Sequence, residues 1–213
     1  MDRAAAIRRV GFGEDESIVL YVGRFDPIKG IDRLLEAVAY LKHLKRMRLV
    51  IIGGDDPDTP EYRNLRQICG RFGIHKSVRF VGRVEQSQLP PYYSAADCLV
   101  VPSYYESFGL VGLESLACGT PVVASPVGAM ADIIDNGKTG QVVPDLTPRS
   151  LANSIEKVIS NPAKTLLSAD AIREIAAGSG FSAEKLVEIT GGNPFFSTEI
   201  LNNKQATEEV PSS

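Results

Sequence analysis

Two histidines and three cysteines are all that this 213-residue chain offers toward imidazole or thiolate chemistry. His43 and His75 stand alone on segments that read as helix or loop surface, so neither a triad nor a metal site can be built around them. Cys69, Cys98 and Cys118 are odd in number, widely spaced and embedded in apolar runs. That pattern suits reduced core thiols and a cytoplasmic setting better than disulfides or a metal. Ser103 and Ser125 have no candidate base nearby, which leaves nucleophilic catalysis without support. No apolar run approaches the ~20 residues of a membrane span, and the opening MDRAAAIRRVGFGEDES holds no stretch of secretory length. A soluble protein is expected, with peripheral membrane contact left open. Lys and Arg total 23 against 26 Asp and Glu, and no segment concentrates basic residues, so nucleic acid is excluded as a partner. Internal repeats and low-complexity segments are absent as well.

What remains is an ordinary globular composition, 44% hydrophobic and 23% charged, with length for one sizeable domain and an appendage. From Ile18 to Ser160 short Val- and Ile-rich runs alternate with helical patterns. The expected strands are Ile18–Val22, Arg48–Ile52, Val78–Val81, Cys98–Val101, Val122–Ala124 and Gly140–Val143, mostly unbroken apolar, as in strands buried on both faces. Helices are expected at Ile31–Leu44, with Asp32, Arg33, Glu36 and Lys42 largely off the apolar face, at Pro60–Phe72, Gln88–Ala96, Leu110–Ala117 and Pro148–Ser160. The fold class is therefore α/β, a doubly wound, Rossmann-like parallel sheet of about six strands with a short helical tail. The strand signal stops at Asn161-Pro162, which divides the chain into a ligand-binding domain (1–162), a helical tail (163–201) and a polar, disordered end (202–213).

Two loops carry chemistry. Gly23-Arg24-Phe25-Asp26-Pro27-Ile28-Lys29-Gly30 lies between the first strand and the first crossover helix, where open α/β sheets place their ligand crevice. Arg24 offers paired planar donors and Lys29 a mobile point charge, so together they can converge on a diphosphate; the same residues also read as a solvated turn. In Pro102-Ser103-Tyr104-Tyr105-Glu106-Ser107-Phe108-Gly109-Leu110, another strand end meets a helix start. The N–H groups of Phe108, Gly109 and Leu110 there can hold a phosphate, and Gly109 permits close backbone approach. Glu114, inside that helix, can accept hydrogen bonds from a ribose diol, although alone it reads more readily as an exposed helix acid, and Glu106 as a solvated loop carboxylate; the first loop beside them reverses that balance. Gly137-Lys138-Thr139 has only the tail of a P-loop and is a turn.

Four segments in order, LYVGRFDPIKGIDRLLEA, FVGRV, YYSAADCLVVPSYYESFGLVGLESLACGTPVVAS and VGAMADIIDNGKTGQVV, resemble the C-terminal, donor-binding domain of family 4 (group 1) retaining glycosyltransferases of GT-B architecture. The likeness spans roughly residues 17–161. It implies that Arg24 and Lys29 grip the donor diphosphate beside Gly23, that Glu106 and Glu114 are the family's paired glutamates separated by seven residues, and that Glu106 contacts the transferred sugar while Glu114 binds the ribose. Phe108, Gly109 and Leu110 would supply backbone donors, and Gly82 and Arg83 the base-binding loop. The implied donor is a UDP-, GDP- or ADP-sugar, used without a metal or other cofactor. The implied partner is an N-terminal acceptor domain, missing or separate, without which transfer is not expected. The last segment, ADAIREIAAGSGFSAEKLVEITGGNPFFSTEIL, is atypical for the family and resembles a stretch of large signalling ATPases instead. The alternatives are a non-catalytic nucleotide-binding or interaction module of the same fold and, third, a sugar-nucleotide epimerase.

Overall fold

The computed structural model describes residues 2–54, 56–106, 109–128 and 130–160, and the expected helical tail and polar end lie outside them. Six strands form one parallel sheet: β1 Ser17–Val22, β2 Met47–Ile52, β3 Val78–Gly82, β4 Cys98–Val101, β5 Val122–Ala124 and β6 Gly140–Val142. Their spatial order is β3-β2-β1-β4-β5-β6, and every pairing is parallel. The chain therefore winds outward from β1 to β3, returns to the centre and winds outward again, leaving a topological switch point between β1 and β4.

Why the strands read as unbroken apolar runs is visible in their alternation. Ile18 and Leu20 join one core with Leu99, Val101, Val122 and Ala124. Val19 and Tyr21 join a second with Leu49, Ile51, Cys98, Val100 and Val123 on the other face. Helices cover both faces. Helix α2 (Ile31–Tyr40), α3 (Pro60–Phe72) and α7 (Pro148–Ser160) lie on the second face, whereas α1 (Arg3–Val10), α4 (Pro90–Ala95), α5 (Leu110–Ala117) and α6 (Met130–Ile133) cover the first. The three cysteines are buried in these cores, and burial pushes the Cys69 thiol up to about 11.

One element is added to the expected ones, and two local expectations are corrected. The N-terminal segment is helical: the Asp2 carboxylate accepts from the N–H of Ala5, Gly11 closes the helix in the left-handed region, and Ala6 and Ile7 are buried against α4. The Asp97 carboxylate, between α4 and β4, accepts from Arg3 at 2.9 and 3.0 Å and from the N–H of Ile18 at 2.7 Å, while Phe12 meets Tyr92 edge-on. Helix α2 ends at Tyr40 rather than Leu44, because the chain continues in tight turns, Leu41 N–H to Val38 and Leu44 N–H to Leu41. Leu41 and Leu44 still reach the core from those turns, so their spacing reports burial rather than helix. Arg33, expected off the apolar face, is only 3% exposed. Its Nη2 donates to the Pro102 carbonyl and the Ser125 hydroxyl, its guanidinium lies 4.9 Å from the Tyr104 ring centre, and its Nε and Nη1 find no partner among the described residues.

Candidate functional site

Three loops meet at the C-terminal ends of the central strands. After β1, Gly23 donates its N–H to Ile52, and the Tyr21 hydroxyl donates to the Arg24 carbonyl at 3.0 Å. Burial, then the Glu106 charge, pushes the Tyr21 phenol well above its ordinary range, so it stays a donor. Asp26 accepts from the N–H of Ile28 and caps a single 3₁₀ turn, Pro27–Lys29, which presents Lys29 at its end. Gly30 then enters α2 at φ 67°, and a Cβ there would stand 2.2 Å from the Pro102 carbonyl oxygen. Only glycine permits that approach. A backbone bond from Tyr104 N–H to the Ile28 carbonyl, 2.9 Å, joins the same two loops.

The contact brings Lys29 to Glu106: Nζ lies 2.8 Å from Oε2, with the side chains 24% and 14% exposed. Around this ion pair runs a cleft of about 350 Å³ whose walls include Gly23, Arg24, Ser103, Gly109 and Leu110. Gly109 is the N-cap of α5 at φ 67° and has no side-chain cap. First-turn N–H groups of a helix lack intrahelical partners, so the start of α5 brings donors to the cleft wall. Phe108 lies outside the described residues.

Arg24 also borders a second, wider cleft of about 820 Å³, lined by Gly53, Gly54, Arg83 and Val84. Gly82, at φ 88° closing β3, accepts from the N–H of Gly53 and sets the start of the loop that carries Arg83. Of the expected residues, Gly23, Arg24, Lys29, Glu106, Gly109 and Leu110 thus line the first cleft and Gly23, Arg24 and Arg83 the second, with Gly23 and Arg24 common to both.

Glu114 departs from the exposed-acid reading. It is 5% exposed and turned toward α4, not into the cleft around Lys29. Its Oε2 accepts from the Tyr93 hydroxyl at 2.5 Å, and its Oε1 from the Gln86 amide at 3.1 Å. Burial raises its pKa above the ordinary carboxylate value, and the two hydrogen bonds pull in the opposite direction. Sequence reasoning missed Tyr93, Gln86 and the buried Arg33. The only hint was that Tyr93 and Glu114 share one motif-rich segment.

Among the described residues no helix is long and apolar enough to cross a membrane, and no group of three or more His, Cys, Asp or Glu side chains could hold a metal ion. Comparison with known proteins gives the lineage. The family model for glycosyl transferases group 1 matches residues 2–176. D-inositol 3-phosphate glycosyltransferase 2 of Catenulispora acidiphila is 38% identical over 188 residues, covering 85% of this chain and 44% of its own. The D-inositol 3-phosphate glycosyltransferase of Geodermatophilus obscurus is 40% identical over 195 residues, covering 88% and 42%. The chain thus spans less than half the length of these curated relatives. Sucrose-phosphate synthase from Thermosynechococcus elongatus superposes with a TM-score of 0.78 at 37% identity, covering 89% of this chain and 47% of the other. Two further structures share the fold. Anabaena HepE in complex with UDP and glucose has a TM-score of 0.74 at 23% identity, covering 96% and 52%. The C-terminal domain of the group 1 family protein LpcC from Francisella tularensis has 0.72 at 24%, covering 83% of this chain and 92% of that domain. This sheet order, the loops at its switch point and the match over residues 2–176 agree: the chain belongs to the group 1 glycosyl transferase family and has the fold of that family's C-terminal domain.

Proposed function

We propose that the chain binds a nucleoside diphosphate sugar and serves as the donor half of a retaining hexosyltransferase in the cytoplasm. The observation that carries the reading is the convergence of Arg24, Lys29, Glu106 and the α5 N-terminus on one cleft at the switch point between β1 and β4. Negative charge builds on the diphosphate as the glycosidic bond breaks. Two cations and a set of helix N–H groups are the complement of that charge, fixed before the reaction begins. Lys29 would leave its carboxylate partner for the phosphates, and Glu106, released, would accept from hydroxyls of the transferred sugar. Glu114 would hold the ribose, and Gly82 and Arg83 would flank the base beside the wider cleft.

The acceptor would attack on the face the diphosphate leaves, which needs no protein nucleophile. Since the chain covers less than half of its curated relatives, the acceptor surface is assigned to a separate or additional domain. The present chain alone should bind donor without efficient transfer, its cleft standing open to water. HepE, a protein of the same fold, was solved with UDP, which puts UDP first among the nucleotides to test.

Titration calorimetry of the purified chain with UDP, GDP and ADP and their common sugar conjugates tests the reading. Micromolar binding of one nucleotide, tighter for its sugar conjugate, is the expected result. Absence of heat with all of them would remove the donor-site assignment.

A further inference from the structure

Burying a carboxylate is costly, and Glu114 is buried with two neutral donors and no cation against it among the described residues. Glutamine or leucine would fill the same space more cheaply, so the retained charge asks for a ligand, and the way it is held indicates how that ligand arrives. The inner donor is the Tyr93 hydroxyl. Tyr93 is 1% exposed on α4, and its reach of 2.5 Å to Oε2 is at the short end for a hydroxyl bonded to an anion. Its backbone is fixed in turn. The Thr120 hydroxyl donates to the Tyr93 carbonyl at 2.7 Å, and the Ser115 hydroxyl donates to the Thr120 carbonyl at 3.0 Å. Pro90 and Pro91 preset the first turn of α4. A phenylalanine at position 93 would pack as well but would leave Oε2 without its donor.

The outer donor is different in kind. Gln86 sits on an exposed 3₁₀ turn, Gln86–Gln88, and its amide reaches Oε1 at 3.1 Å. An exposed side chain with several rotatable bonds gives up such a bond at little cost. A carboxylate has about four acceptor positions, so with Tyr93 held on one oxygen and Gln86 swung away Glu114 keeps acceptor capacity for two hydroxyl donors.

We propose that Tyr93 is the positioning residue that aims Glu114 at the ribose diol of the donor, and that Gln86 is the displaceable stand-in for that diol when the site is empty. This rests on the donor-site reading above.

The test uses the full chain and calorimetry with UDP, GDP and ADP, their 2′,3′-dideoxy counterparts and inorganic pyrophosphate. The wild-type protein should prefer the ribonucleotide over its dideoxy form. Tyr93→Phe should weaken ribonucleotide binding about tenfold, the usual scale for one hydrogen bond to a charged group, and leave dideoxynucleotide and pyrophosphate binding unchanged. Glu114→Gln should erase the preference, and Y93F/E114Q should lose nothing beyond E114Q. Gln86→Ala should keep the preference or strengthen it by up to about threefold, since a competitor has gone. Equal weakening of ribo and dideoxy forms by Y93F, or a preference that Y93F does not reduce, overturns the proposal, as does loss of the preference in Q86A. A wild-type chain that binds none of the nucleotides overturns the donor-site reading and this inference with it. Nucleotide binding with an unmoved preference in Y93F overturns this inference alone. Retained pyrophosphate binding in Y93F reports that the variant is folded.

Discussion

Glu106 and Glu114 belong to one stretch of chain, yet the protein treats their charges in opposite ways. Glu106 sits on a loop, partly hydrated, and is answered by a cation at 2.8 Å. Glu114 sits in a helix, 5% exposed, and is answered by two neutral donors. An ion pair at a cleft edge is an exchangeable arrangement: a phosphate can take the lysine and a hydroxyl the carboxylate, with little net change in the charge left unpaired. A buried carboxylate held by dipoles is a fixed one, strong in geometry and weak in stability. On the donor-site reading proposed above, the Lys29–Glu106 pair is the labile contact, where the transferred sugar would enter, and the Tyr93–Glu114 bond the rigid one, where the ribose would rest.

The contrast can be broken most severely at Gly30. Gly30→Ala puts a side chain at positive φ and against the Pro102 carbonyl, which is backbone and cannot move aside. We expect a loss of roughly 3 kcal/mol in stability, read by denaturant unfolding, together with loss of diphosphate binding as Lys29 and Glu106 part. Lys29→Ala comes next. It removes the cation proposed for the diphosphate and leaves Glu106 without its ammonium partner, and calorimetry should show at least a tenfold weaker nucleotide, on the order of 2 kcal/mol. The smallest effect sharpens the comparison. Glu114 has a folded-state pKa above its unfolded one, so its ionised form opposes folding at neutral pH, and the penalty fades as pH falls through the raised value. Glu114→Gln should thus stabilise the chain at pH 7, with the gain shrinking toward acid pH in thermal melts. Glu106→Gln, which strands a cation, should not stabilise at any pH.

Much of this architecture was legible in the sequence because a sheet covered on both faces writes itself as apolar runs. All six strands lie within a residue of their expected bounds. The cleft residues Gly23, Arg24, Lys29, Glu106, Gly109 and Leu110 were legible because they occupy strand ends, where topology gathers them without help from distant side chains. What escaped depends on segments far apart in the chain. Arg33 is buried only because the Pro102–Tyr104 loop folds over it, 69 residues on. Glu114 is buried by Tyr93 and Gln86, 21 and 28 residues away. Neither partner lies within the reach of a helical repeat, so periodicity gave no sign of them. Helix α6 has four residues, too few for any periodic signal. The tail after residue 162 lies outside the described residues, although the family match continues to residue 176.

The Arg3–Asp97–Ile18 junction bears on where this domain begins. A strand-and-helix pattern invites a start at Ser17, where the first strand does. Trimmed there, the chain would lose the guanidinium that answers Asp97, a group whose pKa burial already raises, and would bare the surface of α4 that Ala6, Ile7 and Phe12 cover. Arg3, Ala6, Ile7 and Phe12 thus belong to the packing of the sheet domain, and a truncation that starts at Ser17 removes part of its core along with one helix.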